Sequence, residues 1–244
     1  MDGMLYSVDA PEIDRDPSAP ARSGRTVLAV GAHPDDIELG CAATLRAHVL
    51  AGDRVVMLVL TDGCNGPGAG AALRRAEQQL AARSIGAELR WGGFRDGELG
   101  DGLETIRTIE GVLKETGATT VYTHGHDDTH QDHRAASRAV ASAARHAERL
   151  LFFESPSSVN FQPQLYIDVS GCAETKLQSL RAHASQVSGS RKVDLRAVDA
   201  LLRVRGFQSG VEEAEGFRVR RFVYDPRADA RLPLAAEAEA SVLA

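Results

Sequence analysis

From Arg25 onward the chain alternates between two periodicities. Short β-branched and apolar runs, RTVLAVGA (25–32), RVVMLVLTD (54–62), ELRWGGF (88–94) and TTVYTHG (119–125), are separated by stretches whose apolar positions recur three and four residues apart: AATLRAHVLAG (42–52), ALRRAEQQLAARSIG (72–86) and LETIRTIEGVLKETG (103–117). The second half adds a helical pattern in DHRAASRAVASAARHA (132–147), strand patterns in RLLFFES (149–155) and LYIDVS (165–170), and helical stretches at about 172–186 and 194–204. Strands alternating with amphipathic helices predict βαβ units, and hence an α/β fold: a Rossmann-like, doubly wound, mostly parallel sheet flanked by helices. No internal repeat interrupts it.

The pattern also sets expected boundaries. Residues 1–24, rich in Pro, Asp and Ser, read as a loosely held N-terminal extension, and the Ala/Glu-rich residues 234–244 as a C-terminal tail. Residues 25–233 are expected to form one domain, a length that one α/β core commonly fills.

Composition narrows the partners. With 43% hydrophobic residues among 244, the chain can bury a sizeable core. A net charge of −6 without a basic block argues against nucleic acid or an anionic membrane as partner and favours a small polar molecule. Cys41, Cys64 and Cys172 form no CxxC pair, which suits a reducing compartment. The N-terminus has no apolar signal region, and VVMLVL is too short to span a bilayer, so the expected location is cytoplasmic.

Two polar clusters interrupt the apolar pattern. The first, His33-Pro34-Asp35-Asp36 with Glu38, follows the first strand; the second, HGHDDTHQDH (124–133), follows the strand TTVYT. In open α/β sheets ligands bind beyond the carboxyl ends of strands at the switch point. If the first and fourth strands are neighbours there, the two clusters face one crevice.

Imidazoles and carboxylates are ligands that Zn²⁺ favours, and a catalytic site uses three of them plus an open position. His33 and Asp36, like His130 and His133, are three residues apart, a spacing that lets side chains converge where a helix begins. The surplus over three ligands matters, because a hydrolase also needs a base and a proton donor. The plain alternative is that Asp35 or Asp132 caps a helix. His48, His146 and His183, inside helical patterns, read as structural or solvated.

AHPDDIELG (32–40) together with HDDTHQDHR (126–134) resembles the LmbE-like, or PIG-L, family of zinc-dependent N-acetylglucosaminyl de-N-acetylases. The likeness runs from about Thr26 to Phe217 and includes LRRAEQQLAARSIGA, FRDGEL, YIDVS, ETKLQSLRAHASQ and AEGF. By position, it implies that His33, Asp36 and His133 ligate one Zn²⁺ per chain, a site that Fe²⁺ or Co²⁺ also suits. It further implies Asp35 as general base, His130 as oxyanion stabiliser and proton donor, and Asp132 as the residue that orients His130. Arg74 and Asp96 match positions near the sugar and are assigned to substrate binding. The chain has HQDH where many members have HPDH, and it lacks the tyrosine that some place before the second motif.

The resemblance implies removal of an N-acetyl group from a small N-acetylglucosamine-containing glycoside, such as one in secondary metabolism, by a homo-oligomer. The nearest alternative is an amidase that cleaves a larger acyl group from an amino-sugar thiol conjugate. A phosphoacceptor regulator would need an Asp after the third strand and a Lys after the fifth, where WGGF and FFES supply neither. A zinc-stabilised binding module would leave Asp35 and His130 without a task. Cys64, in a Gly-rich loop with no phosphate-binding fingerprint, reads as a wall of the crevice.

Overall fold

The computed structural model describes residues 24–66, 70–187 and 193–225. The expected tail at 234–244 and all but the last residue of the expected extension 1–24 lie outside the described residues. Among those described, the elements run β1 (Thr26–Gly31), α1 (Asp36–Leu50), β2 (Arg54–Thr61), α2 (Ala71–Ile85), β3 (Glu88–Phe94), α3 (Leu103–Thr116) and β4 (Thr120–His124). They continue with α4 (Gln131–Ala143), β5 (Arg149–Phe153), β6 (Leu165–Asp168), α5 (Ala173–Ala182), α6 (Ala184–Val187), α7 (Leu195–Ser209) and β7 (Ala214–Phe222).

The seven strands form one sheet in the order β3-β2-β1-β4-β5-β7-β6. Strands β1 to β5 are mutually parallel, whereas β7 runs antiparallel to β5 and to β6. The expected α/β class and doubly wound order are therefore present. The strand β7 was not anticipated: RVRR in its second half carries no apolar alternation, and its partners are set by long-range closure of the sheet.

Alternate positions of each parallel strand feed opposite faces, which explains the continuous apolar runs. Leu28, Val30, Val56, Leu58 and Leu60 pack with Ile109, Ala136, Ala139 and Val140 of α3 and α4. Val27, Ala29, Val55, Met57 and Val59 pack with Ile37, Leu45, Ala82 and Ile85 of α1 and α2.

The switch point lies between β1 and β4, paired from Val27↔Thr120 to Val30↔Thr123. Both polar clusters leave the sheet there, at the carboxyl ends of adjacent strands. Helix α1 is broken at Cys41, where φ is −153°. The backbone groups freed by the break are satisfied by a buried ion pair: Glu215 accepts from the Ala43 and Thr44 amides at 3.4 and 2.8 Å, while Lys176 donates to Leu39 O at 2.7 Å and to Glu215 at 2.6 Å. A Cβ at Gly40 would run into the Phe153 ring, so the first turn of α1 packs against β5 only because residue 40 is glycine.

Candidate active site

The first cluster is delivered by β1 and the opening of α1, the second by β4 and the opening of α4. His33 Nδ1 lies 3.2 Å from the Asp36 carboxylate and 3.3 Å from His133 Nε2, and His133 Nε2 lies 3.2 Å from Asp36. Three ligands bonded at about 2.0–2.1 Å to a tetrahedral ion are roughly 3.3–3.4 Å apart. These spacings fit a divalent cation; the wider cluster also offers the convergent groups His33–His130–His133, Asp36–His124–His133 and His33–Asp96–Asp132, any of which could hold a metal ion.

The outer nitrogens of both imidazoles are already occupied. His33 Nε2 faces Asp132 at 3.1 Å and Asp96 at 3.2 Å. His133 Nδ1 faces Asp128 at 3.1 Å, and Asp128 in turn accepts from Ser155 Oγ at 2.6 Å and the His130 amide at 2.9 Å. A carboxylate behind a ligating histidine fixes ring orientation and tautomer, leaving the inner nitrogen for the metal. Asp128 and Ser155 were not singled out from sequence. Asp128 could have been read only as one of two adjacent aspartates, and Ser155 carries no motif.

His124 was also missed. It is fully buried, its Nε2 accepts from the Ala32 amide at 3.1 Å, and it lies 3.2 Å from Asp36. Its ring stacks on His133 with centroids 4.0 Å apart.

This crowding sets the electrostatics. Burial alone would lift the Asp36 carboxyl, but His133, His124 and His33 together hold it well below the ordinary range. Burial also works against the charged forms of His33 and His133. For His33, Asp36, Asp132 and Asp96 outweigh burial and push it up to about 12; for His133, Asp36 and Asp128 push it up to about 9. His124 is pushed down to about 4, by burial and then by His133. His130 is lowered by burial and by the charges of His33 and His133.

Asp35 stands at the N-cap position of α1 yet does not cap it. Its φ is 91° and its carboxylate makes no bond to the helix amides. The nearest cation is Arg74, at 3.6 Å. Burial pushes its carboxyl up to about 6, with Arg74 pulling the other way. A buried, uncommitted carboxylate with a raised pKa suits proton abstraction near neutrality.

At the start of α4 it is His130 that caps, its Nδ1 accepting from the Asp132 amide at 3.2 Å. The Asp132 side chain was expected on His130. It lies on His33 instead, with a second bond from the Gly97 amide at 2.7 Å. The His130 ring packs edge-on to His33, with centroids 4.7 Å apart, and is partly exposed.

The two residues expected to meet substrate are both engaged inside the protein. Arg74 is 3% exposed and donates to Pro34 O. Asp96 accepts from the Asn65 amide at 3.0 Å besides contacting His33, and so ties the Cys64 loop to the cluster. His48, read as structural or solvated, bonds Asp53 at 2.7 Å and Tyr122 at 2.9 Å. His183 is fully buried, 3.6 Å from Glu38.

Residues 28–144 match the model of the PIG-L family, GlcNAc-PI de-N-acetylase. The chain is also 34% identical over 180 residues to the uncharacterized deacetylase YaiS of Escherichia coli K12, covering 69% of this chain and 94% of that protein. The chain belongs to the PIG-L family. A second relative, the diacetylchitobiose deacetylase of Thermococcus kodakarensis, is 28% identical over 206 residues, covering 74% of this chain and 77% of the relative. Among solved structures, the conserved protein TT1542 of Thermus thermophilus superposes with a TM-score of 0.74 at 30% identity, covering 82% of this chain and 97% of that one. Both clusters lie inside the matched residues, so this PIG-L chain has the fold and motif-bearing segments of a family of deacetylases.

Proposed function

We propose that the protein is a metal-dependent N-deacetylase that releases acetate and a free amine from a small N-acetylglucosamine-containing glycoside. The observation that carries this reading is the convergence of His33, Asp36 and His133 at 3.2–3.3 Å beside an uncapped, buried Asp35. The family description and the diacetylchitobiose relative support an acetamido sugar as the substrate class.

His33, Asp36 and His133 would hold the cation, with Zn²⁺ the first choice for two imidazoles and a carboxylate. A bound cation of this kind acts as a Lewis acid on a carbonyl and lowers the pKa of water. Asp35 takes the proton of the attacking water. Burial has already made that carboxylate a stronger base than an exposed one. His130, whose Nδ1 accepts from the Asp132 amide and whose Nε2 therefore carries the N–H, stabilises the charge that develops on the acetyl oxygen, and the proton taken up by Asp35 passes to the departing nitrogen. Asp132, bonded to His33 and Gly97, holds the ligand shell and keeps the α4 opening against the loop after β3. Arg74 acts from beneath, on Pro34 and Asp35, and the sugar is left to groups on the rim of the crevice.

The test is acetate release from a panel of N-acetylated amino sugars and their glycosides, with metal analysis of the same preparation. Turnover of at least one acetamido sugar in proportion to bound metal is expected. A fully metallated protein that releases acetate from none of them, but cleaves larger N-acyl amino sugars, would replace deacetylation with the amidase alternative.

A further inference from the structure

We infer that Gln78 is a positioning residue for Asp35: from α2, its side-chain amide holds the left-handed turn that keeps the Asp35 carboxylate off the helix and free for chemistry. The inference rests on the proposed reading of Asp35 as base.

An ordinary N-cap aspartate has extended backbone angles and spends its carboxylate on the first helix amides. At φ 91°, ψ −21°, Asp35 does neither. Apart from Asn160, it is the only non-glycine with positive φ among the described residues. Such a conformation persists only where surrounding bonds over-determine it. The bonds here are few and specific. The Asp35 amide donates to Gln78 Oε1 at 3.2 Å, Pro34 O accepts from Arg74, and Asp35 O accepts from the Leu39 amide at 2.9 Å. Arg74 and Gln78 stand one helical turn apart on α2, so one face of that helix grips two consecutive residues of the turn.

The direction in which Gln78 points is itself fixed. Its Nε2 donates to Glu38 Oε1 at 2.6 Å, and both Gln78 and Glu38 are fully buried. Only the NH₂ end of the amide can serve a carboxylate, so Glu38 forces the oxygen end toward the Asp35 amide. Glu38 lies three residues after Asp35, in the first turn of α1. Gln78 thus bridges the two ends of that turn, and without it a buried backbone N–H loses its acceptor.

The experiment uses the full-length metallated protein with Gln78→Met, Asp35→Asn and the double variant, and it separates the clamp from its catalytic effect. Hydrogen exchange of the Asp35 amide reads the clamp without any substrate. The Met variant is expected to lose protection there while the α1 amides beyond Cys41 keep theirs; unchanged protection would overturn the clamp. In turnover, Gln78→Met is expected to keep its metal and hold KM within about 2-fold while kcat falls roughly 10–100-fold. The double variant should then be no slower than Asp35→Asn alone, as expected of residues that act as one unit. Multiplying losses, or an unchanged kcat, would overturn the positioning role. If Gln78→Met does not fold, the exchanged pair Gln78→Glu with Glu38→Gln keeps one donor between the two side chains and an acceptor of the same reach for the Asp35 amide; that amide should exchange as in the parent, and faster exchange counts against the inference. A parent without turnover on any amino sugar would refute the deacetylase reading and leave the exchange result standing.

Discussion

Replacing Asp35 by glycine should make the protein more stable and far less active. Asp35 holds φ at 91°, which a non-glycine residue sustains at a cost of about 1–3 kcal/mol. Glycine removes that cost, but its freer unfolded chain takes back about 0.4–1 kcal/mol. Relative to a residue with a Cβ and no charge at the same place, the net gain is about 1 kcal/mol, or roughly 2–4 °C in Tm for a chain of this size. Asp35→Ala is the control, since it removes the same carboxylate yet keeps a Cβ. Thermal melts of parent, Ala and Gly variants, all stripped with chelator so that metal binding does not enter, should place Gly above Ala by that margin. Turnover of both, reloaded with metal, should fall roughly 10²–10⁴-fold, the usual contribution of a positioned base.

The pH dependence has a definite sign. The folded value of about 6 lies above the unfolded 3.8, so the ionised carboxylate costs stability above about 6 and that cost fades as the pH falls toward 4. The advantage of the Gly variant over the parent should shrink over the same window. A Gly variant no more stable than Ala, or one that retains near-normal turnover, would refute the reasoning that ties backbone strain at Asp35 to catalysis.

Asp128→Asn should weaken metal affinity about 10–100-fold, because it removes the carboxylate behind His133; unchanged affinity in a direct titration would contradict ligation through His133 Nε2. In the metal-free protein His133 is held protonated up to about 9, so the stability it contributes is complete below 6.5 and lost as the pH rises through 9. Metal must displace that proton, so affinity should climb toward pH 9, and calorimetry in two buffers of different ionisation heat should show proton release. His130→Ala should keep its metal and lose turnover, whereas metal and activity falling together would make His130 a ligand.

Much of the site was legible because its residues sit where local patterns end. An apolar run that stops at His33-Pro34-Asp35-Asp36, and another that stops before HGHDDTHQDH, mark strand termini whichever way the chain then turns. The parallel βαβ order brings the two clusters together, and the resemblance to the PIG-L family is what singled out His33, Asp36 and His133 within them, across 100 residues. What escaped depends on tertiary closure. His124 and Ser155 both look like trailing residues of strand runs, TTVYTHG (119–125) and RLLFFES (149–155); each gains its role only from the neighbour that the sheet order supplies. His130 uses its Nδ1 to cap α4 while the Asp132 carboxylate turns to His33, an arrangement of two residues on either side of Gln131 that spacing does not reveal. Likewise β7 takes its place between β5 and β6 through pairing with residues more than 45 positions away, and four of its nine residues are charged.

The central claim is that one cation held by His33, Asp36 and His133 is what Asp35 works beside. The most direct measurement compares bound metal per chain with acetate release for the parent, His33→Ala, His133→Ala and Asp35→Asn, on the substrate the parent turns over best. The account predicts that metal and activity fall together in both histidine variants, each of which loses one of three protein ligands. Asp35→Asn should stay fully metallated with acetate release reduced roughly 10²–10⁴-fold. Full metal occupancy in either histidine variant, or near-normal acetate release from metallated Asp35→Asn, would contradict it.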